Sequence, residues 1–397
     1  MKTPPVGVRI KVAEMSMTEA PQNTLETPPP AARNGGSTSA VRAEGASANA
    51  DAASVSSSIP SARPRNNDYV VLKRMVLEAG LLQKQPRYYA FQMLLIAGLL
   101  AASIATLVLV ESLWLQLLNA AFLAFIFTQV SFLGHDAAHR QIFRSVHLNN
   151  VFGTGFWNVV LGMSNRWFIF RHNRHHAHPN EEENDPDADL IMLSFSKEQA
   201  RTRLGLIGFM VRYQVLLVPL LALEMIVLRY ASYRFFFFKR GKYPPAEVAI
   251  SALSLAVYLA LAYYFLGLGG ALLFIAVHQL CFGLYFASVI ASNHKGMPIW
   301  EPGREPDFLR QQVLTARNVS SHPLADFWYG GLNYQIEHHL FPSMPRNRLC
   351  DAQPLVEKFC ADRGVAYHET SVTESYREIF QHLKRASAPI RESRHRA

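Results

Sequence analysis

Seven histidines of this chain fall in three windows of five residues each. The windows cover residues 135–139, 172–176 and 335–339, where the sequence reads HDAAH, HNRHH and QIEHH. Residues three or four apart lie on one face of a helix, so each window predicts a helical turn that presents its polar side chains together. The histidines of the three windows are His135, His139, His172, His175, His176, His338 and His339.

Histidines grouped in this way indicate a metal site. Neutral imidazole binds iron, zinc, copper or nickel, and seven imidazoles exceed what one tetrahedral zinc ion can use. We therefore predict two metal ions. A polar helix end at a membrane surface would explain one of these windows by itself, but it does not explain three.

Long apolar runs must position these windows. Two of them cover residues 91–110 and 113–133, and two more cover residues 248–266 and 272–291, joined by the uncharged stretch LGLGG. Each run has about twenty residues, enough at about 1.5 Å per residue to cross about 30 Å of hydrocarbon. The sequence thus predicts an all-α integral membrane protein with four transmembrane helices in two hairpins and a histidine-rich helical cap.

Two further apolar segments lie between the hairpins, at residues 151–163 and 204–228. The first contains several glycines, and the second is interrupted by Arg212, Pro219 and Glu224. We expect both to form interfacial or re-entrant helices. One extra crossing between the second and third windows would put their histidines on opposite faces of the membrane.

Composition and charge agree with a membrane protein. Apolar residues make up 50% of the 397 residues and charged residues only 17%, below the quarter typical of soluble domains. The net charge of +9 forms no continuous basic stripe and accompanies no nucleic-acid motif, so we expect membrane lipid and no nucleic acid as a partner. Lysine and arginine occur in the long middle region but not in the short hairpin loops, which predicts that the termini and the metal site face the cytoplasm.

The chain divides into three predicted regions. Residues 1–66 are rich in Ala, Ser, Pro and Gly and lack apolar periodicity, so we expect a disordered N-terminal tail. Residues 67–385 form the membrane domain, and residues 386–397 form a basic C-terminal tail. The three cysteines offer no disulfide framework, which fits a reducing, cytoplasm-facing domain.

The three windows resemble the histidine boxes of the membrane fatty acid desaturase superfamily, over about residues 67–380. The third window begins with Gln335, and with the nearby stretches NHKGMP and HPNEEENDPD it is similar to the subset that includes front-end and related bacterial acyl desaturases. The resemblance implies that the seven histidines bind two iron ions (Fe²⁺) and that His294 is a further ligand. For Gln335 it leaves open whether the amide binds iron or hydrogen-bonds to a ligand.

The same resemblance implies a reaction, the oxygen-dependent desaturation of a fatty acyl chain held as a CoA thioester or a lipid ester. The sequence has no HPGG haem motif of a fused cytochrome b5 domain. We therefore expect an external electron donor, a ferredoxin or a cytochrome b5-like protein. It would dock near the basic residues Lys239, Arg240, Arg346 and Arg348.

Other polar and aromatic residues near the windows are candidates for supporting roles. Carboxylates could accept a ring N–H of a ligand, and we favour Asp136 and Glu337 over Asp185 and Asp187. We expect His178 to support the site and His278 to be a neutral, hydrogen-bonded histidine inside the fourth run. The aromatic candidates for a tunnel wall or an interfacial anchor are Trp157, Trp167, Trp328, Tyr329 and Tyr334.

Two other functions fit parts of this pattern. A fatty acyl or lipid hydroxylase would use the same two-iron site and differ in its product. A membrane receptor or transporter that binds one zinc ion through histidines would need neither dioxygen nor reductant. The position of the double bond and the acyl carrier do not follow from the motifs.

Overall fold

The computed structural model describes residues 67–188, 193–238, 245–301, 303 and 306–392. The predicted N-terminal tail lies outside these residues, as do Lys239, Arg240 and residues 393–397 of the predicted C-terminal tail. The end of the chain that is described contains a short helix after residue 386.

The described chain is mostly helical, as the sequence predicts, and contains two strands of two residues each. The longer α-helices are α1 (Asn67–Glu78), α2 (Pro86–Leu109), α3 (Leu113–Ala138), α4 (Val146–Thr154), α5 (Asn165–Ala177), α8 (Glu224–Phe238), α9 (Pro245–His294), α13 (Leu349–Ala361) and α14 (Val372–Ala386). The shorter ones are α6 (Lys197–Thr202), α7 (Gly205–Arg212), α10 (Phe308–Leu314), α11 (Pro323–Tyr329), α12 (Gln335–Leu340) and α15 (Ala388–Glu392). Strands β1 (Asn318–Val319) and β2 (Glu369–Thr370) pair in parallel.

Three helices of the described chain, α2, α3 and α9, are long and apolar enough to cross a membrane. Helices α3 and α9 extend beyond the apolar runs from which they were predicted, because both continue into polar turns that carry histidines. Helix α2 begins at Pro86, where the missing N–H of proline costs no hydrogen bond. The first predicted hairpin is thus present as α2 and α3.

Helix α9 is two helical segments that fold back on each other. Gly267 has φ 66° and ψ 178°, a conformation that interrupts the helix and that glycine adopts readily. The hydroxyl of Tyr258 lies 2.7 Å from Nδ1 of His278. In a continuous helix these residues would be about 30 Å apart, so the two segments lie side by side. The stretch LGLGG is therefore a turn, as predicted.

The two segments expected to be interfacial or re-entrant are broken into short elements. Residues 151–163 contain the end of α4 and a π-helix at Gly155–Val160, and residues 204–228 contain α7, a 3₁₀ helix at Val218–Leu223 and the start of α8. Neither segment contains a helix of membrane-spanning length within the described residues.

The first hairpin satisfies its own buried polar groups. Gln116 is fully buried and donates to the backbone carbonyls of Thr106 and Val110 at the end of α2. Ser103 donates to Asn119, whose amide donates back to the carbonyl of Ser103. Buried backbone and side-chain polar groups without water must find such partners inside the protein. These contacts fix α3 against α2.

Helix α3 lies at the centre of the larger apolar core, with α2, the π-helix, α5, α8 and α9 around it. A second core joins α1 to α10, α12 and α13, so the third histidine window is packed between the beginning and the end of the described chain. The ends of α3 and α9 that carry histidines meet α5 and α12. All three windows therefore come together.

Candidate metal centre

The helices that carry the candidate ligands have well-defined ends. After His139, Arg140 adopts φ 57°, and the N–H of Gln141 donates to the carbonyl of Asp136, which ends α3 in a Schellman-type turn. Ser164 caps α5 by accepting from the N–H of Trp167. His294 is the last residue of α9.

The predicted site residues converge into two groups. The five-histidine group consists of His135, His139, His172, His176 and His338. The three-histidine group consists of His175, His294 and His339. Within each group the candidate ligand atoms all lie within 4.8 Å of one another. The groups adjoin, because the rings of His176 and His339 stack with centroids 4.1 Å apart.

The windows and the groups do not coincide. His172 and His176 are four residues apart and enter the five-histidine group, whereas His175 enters the other group. The consecutive residues His338 and His339 are likewise divided. The short helices α5 and α12 thus each contribute histidines to both groups, and this places the two candidate sites side by side.

Every histidine of the three-histidine group has an acceptor at its outer nitrogen. Nδ1 of His175 lies 3.0 Å from a carboxylate oxygen of Asp185, and Nδ1 of His294 lies 2.9 Å from the carbonyl oxygen of Thr315. Nδ1 of His339 lies 2.9 Å from Oε1 of Gln312. These contacts assign the proton to Nδ1 and leave the Nε2 lone pair of each ring to face the centre of the group.

Gln335 belongs to the three-histidine group. Its Nε2 atom lies 2.9 Å from Nε2 of His294, and its Oε1 atom is buried and has no hydrogen-bond partner among the described residues. Rotation of this amide by 180° would point the oxygen at the same centre. The sequence left both roles of Gln335 open, and its position is compatible with either.

The donor atoms fit metal ions. Nε2 of His294 lies 3.2 Å from Nε2 of His175 and 2.9 Å from Nε2 of His339. Two nitrogen ligands at about 2.1 Å from an ion and at right angles are about 3.0 Å apart. In the five-histidine group, Nε2 of His139 and both nitrogens of His338 are buried without a partner among the described residues. Buried nitrogens in that state are costly unless something binds them.

Burial also keeps these imidazoles neutral, the form that binds a metal. Burial, followed by the neighbouring histidines, lowers the pKa of most of the grouped rings outside the long helices. These rings are His139, His172, His176, His338 and His339. His175 differs: burial lowers its pKa, but the Asp185 carboxylate outweighs burial and raises it above the usual value.

Asp136 and Arg346 form a buried ion pair beside the five-histidine group. Nε of Arg346 lies 3.1 Å from Asp136, and Asp136 lies 3.4 Å from Nδ1 of His135. Asp136 thus reaches a histidine, as predicted, although at a longer distance than Asp185 does. Arg346 is only 4% exposed, so the expectation that it contributes to a surface for an electron donor is wrong.

The favoured partner Glu337 forms no hydrogen bond with a histidine in the described part of the chain. Its carboxylate accepts hydrogen bonds from Nδ2 of Asn318 and the hydroxyl of Tyr367, and burial raises its pKa to about 7. His178 pairs with Glu181 at 2.6 Å and lies outside both groups. His278 is fully buried and hydrogen-bonds to Tyr258, as predicted.

Sequence reasoning missed Gln312 and Thr315 and ranked Asp185 too low. Gln312 and Thr315 come from α10 and the residue after it, far from the windows in sequence, and no spacing pattern connects them to a histidine. Asp185 follows its partner His175 by ten residues, and the sequence indicates it only as one of several carboxylates in the acidic stretch EEENDPD.

A cavity opens onto both groups, and the space in it that the centre of a water molecule can occupy is about 110 Å³. His135 and His172 of the five-histidine group line it together with His175 and His294 of the three-histidine group. Its other walls are mostly apolar and come from α3, the π-helix, α5, α8 and α9. They include Trp157, Met163, Trp167, Phe168, Leu228, Phe286 and Ile290.

Of the aromatic candidates, Trp157 and Trp167 line this cavity. Trp328 and Tyr329 line a separate groove with Ser288, Ser321 and Tyr376, and Tyr334 lines a third one. Trp157 packs on Gly134, the residue before the first histidine, so closely that a Cβ atom there would lie 2.4 Å from the indole nitrogen. A glycine at this position therefore allows the indole to form the cavity wall.

Membrane-length helices that carry two adjoining imidazole groups at one end, facing a largely apolar cavity, define a helical protein with a candidate metal centre beside that cavity. Residues 112–371 match the family model described as fatty acid desaturase. The chain therefore belongs to the fatty acid desaturase family.

Characterised relatives carry related names. The chain is 30% identical over 335 residues to the acyl-lipid (9-3)-desaturase of Physcomitrium patens, an alignment that covers 80% of this chain and 62% of the moss protein. It is 26% identical to the Delta(8)-fatty-acid desaturase of Borago officinalis, covering 82% and 76%, and 24% identical to a Delta(6)-fatty-acid desaturase of Caenorhabditis elegans, covering 80% and 74%. The chain thus spans less than two thirds of the moss relative.

Proposed function

We propose that this protein desaturates a fatty acyl chain with dioxygen at a centre of two histidine-bound iron ions. One ion would be held by the five-histidine group and the other by the three-histidine group, with Gln335 beside the second. The observation that carries this proposal is the pair of adjoining imidazole groups at the wall of an apolar cavity. The names of the relatives support the acyl substrate.

The reaction consumes dioxygen, two electrons and two protons, removes two hydrogen atoms from adjacent methylene carbons, and releases two water molecules. Bound iron would supply the oxygen activation and the redox chemistry. The residues of this chain do the rest: Asp185, Thr315 and Gln312 orient the imidazoles, and the apolar cavity walls hold the chain and exclude bulk water. Holding one pair of methylenes beside the metals selects the C–H bonds that react.

We further propose four membrane crossings in two hairpins, with the termini and the metal centre on the cytoplasmic side. Two observations support this topology. Helices α2 and α3 form one hairpin, and the reversal of α9 at Gly267 divides its 50 residues into a second one. Each hairpin also ends with histidines, and these belong to the two adjoining groups, as is required if all three windows lie on the same face of the membrane.

The electrons would come from a separate protein, a ferredoxin or a cytochrome b5-like carrier. The acyl chain would reach the cavity as a CoA thioester or a lipid ester. Both proposals rest on the requirements of the reaction and on the membrane-length apolar helices.

The test is the fatty acid profile of a host that expresses the chain together with a compatible electron donor. The intact chain should add an unsaturated acid that is absent from the host, and His338→Ala should abolish it. His147→Ala is the matched control, because His147 is an exposed histidine outside both groups and its loss should leave the product unchanged. A hydroxylated product would replace the proposal with hydroxylation, and a purified protein with one zinc ion and no product would contradict it.

A further inference from the structure

One end of the cavity next to the three-histidine group is charged. The cavity wall there contains Arg171, Asp187, Glu224 and Lys295, whereas the remaining walls are largely apolar. Charged side chains facing a cavity that otherwise suits hydrocarbon require an explanation, because charge is costly to bury without a partner. The proposed reaction as described above uses none of them.

Two of these side chains neutralise each other. Nη2 of Arg171 lies 2.6 Å from the carboxylate of Asp187 and also donates to the carbonyl oxygen of Pro186. Asp187 in turn lies 3.7 Å from Nδ1 of His175. This ion pair therefore holds the loop after α5 against α5 itself.

Lys295 has no such carboxylate partner. Its ammonium group donates one hydrogen bond, to the backbone oxygen of Asp187 at 2.5 Å, and lies 4.2 Å from the ring centroid of Phe195. Among the described residues it forms no ion pair within 4.0 Å, although the carboxylates of Asp185, Asp187 and Glu224 are near enough to oppose the lowering of its pKa by burial. An ammonium group has three donors, so Lys295 has donor capacity left at the cavity.

Lys295 lies next to the three-histidine group. It directly follows His294, and its hydrogen-bond acceptor Asp187 borders His175. Phe286, Ile290, Leu228, Trp157 and Met163 are apolar residues that line the same cavity. The cavity thus offers the ammonium group of Lys295, a cationic donor outside the Arg171–Asp187 pair, near the three-histidine group and largely apolar walls for the rest of its ligand.

We propose that Lys295 binds the carbonyl oxygen of the acyl ester or thioester and so fixes the carboxyl end of the substrate near the metals. The inference rests on the proposed function. A carbonyl oxygen is the acceptor that an acyl thioester and an acyl lipid ester share, and the donor at this end of the cavity matches it. The double bond would then be placed by its distance from the carbonyl carbon.

The test measures binding without turnover. Purified, metal-loaded protein is titrated with stearoyl-CoA in one arm and stearoyl lysophosphatidylcholine in the other, without dioxygen or reductant. Lys295→Met should weaken binding about tenfold to a hundredfold in at least one arm, since it removes a charge-assisted hydrogen bond. Lys295→Arg should retain most of the affinity. Lys73→Met makes the same substitution at an exposed lysine of α1 and should have no effect.

Product analysis with the same variants supplies the second readout. Lys295→Met should yield a mixture of double-bond positions where the intact chain yields one, whereas Lys295→Arg should keep that position. Weakening in only the CoA arm or only the lipid arm would support the proposal and identify the carrier. Unchanged affinity in both arms together with an unchanged double-bond position would overturn it.

The position next to His294 requires one more control. Metal content per chain is measured for Lys295→Met and for Lys295→Gln, which keeps an N–H donor. Loss of metal from both variants would make Lys295 a support for His294 and overturn the proposal. Failure of the intact chain to make any unsaturated acid would instead contradict the proposed function, so the two failures are distinguishable.

Discussion

The outer nitrogens of the three-histidine group show how single residues orient the imidazoles of a candidate metal site. Asp185 provides the only carboxylate among their acceptors, and its pKa is lowered by His175 although burial alone would raise it. An ionised Asp185 keeps the His175 proton on Nδ1 and the lone pair on Nε2. Asp185→Asn should lower metal affinity about tenfold to a hundredfold, the usual effect of removing a partner of a ligating histidine.

The measurement is metal affinity by competition with a chelator, with Asp187→Asn as the matched control. Asp187 is also an aspartate near His175, but it is farther away, at 3.7 Å, and is paired with Arg171. Its substitution should change affinity less than that of Asp185. Equal effects would mean that charge near His175, not the hydrogen bond, controls the site.

Glu224 gives a prediction for pH. Burial, followed by Asp187, raises its pKa from the ordinary 4.5 to about 7, while Arg171 and Lys295 oppose the rise. A carboxyl with a raised pKa binds more protons in the folded state, so the free energy of unfolding falls as the pH rises from about 4.5 to about 7. Because the group opens onto the cavity, we expect about 1–2 kcal/mol, less than full burial would give.

Glu224→Gln should remove this loss. The difference in thermal midpoint between the variant and the intact protein should grow from pH 5 to pH 7.5 in favour of the variant, as measured in detergent. Comparing the two proteins at each pH cancels the titration of the histidines. A difference independent of pH would contradict the raised pKa.

At the scale of elements, the hairpins were predictable and their contacts were not. Apolar runs of about twenty residues identified α2 and α3, and the LGLGG stretch identified the reversal at Gly267. The broken elements at 151–163 and 204–228 were predicted only as non-spanning, because glycine, proline and charge indicate interruption but not a π-helix or a 3₁₀ helix. Those geometries result from packing against α3 and α9.

The closest of these contacts joins the 3₁₀ helix to the second segment of α9. A Cβ atom at Gly283 would lie 2.0 Å from the backbone oxygen of Ala222, so the two elements can touch only at a glycine. Gly283→Ala should force the 3₁₀ helix away and lower stability by about 1–3 kcal/mol. Since α8 follows directly, with Glu224 and Leu228 in the cavity wall, product formation should fall as well.

Gly269→Ala is the control for this substitution. Gly269 follows the reversal at Gly267 by two residues, in helical backbone, and is exposed. A Cβ atom added there would have no other atom within 4 Å. Alanine is favoured over glycine in a helix by about 1 kcal/mol, and the thermal midpoint should stay equal or rise. A similar loss in both variants would indicate that the apolar helices tolerate no added methyl group at all.

For the molecule as a whole, the sequence predicted which histidines come together but not how they are distributed between the two groups. Helical spacing grouped His172, His175 and His176 on one face, and the structure separates His175 from the other two. The division depends on how α5 and α12 are oriented between the ends of α3 and α9, which is set by the two apolar cores. No periodicity within a single window contains that information.

The division predicts different metal losses for two consecutive residues. His338→Ala leaves four imidazoles in the five-histidine group, still enough to hold an ion, whereas His339→Ala leaves two imidazoles and Gln335 in the other group. Metal analysis of purified protein should therefore find close to two iron ions per chain for His338→Ala and about one for His339→Ala. Both variants should lose product: His339→Ala because one of the two ions is missing, and His338→Ala because the remaining four imidazoles would hold their ion with an altered ligand set. Equal metal loss in the two variants would contradict separate sites and indicate ligands shared between the ions.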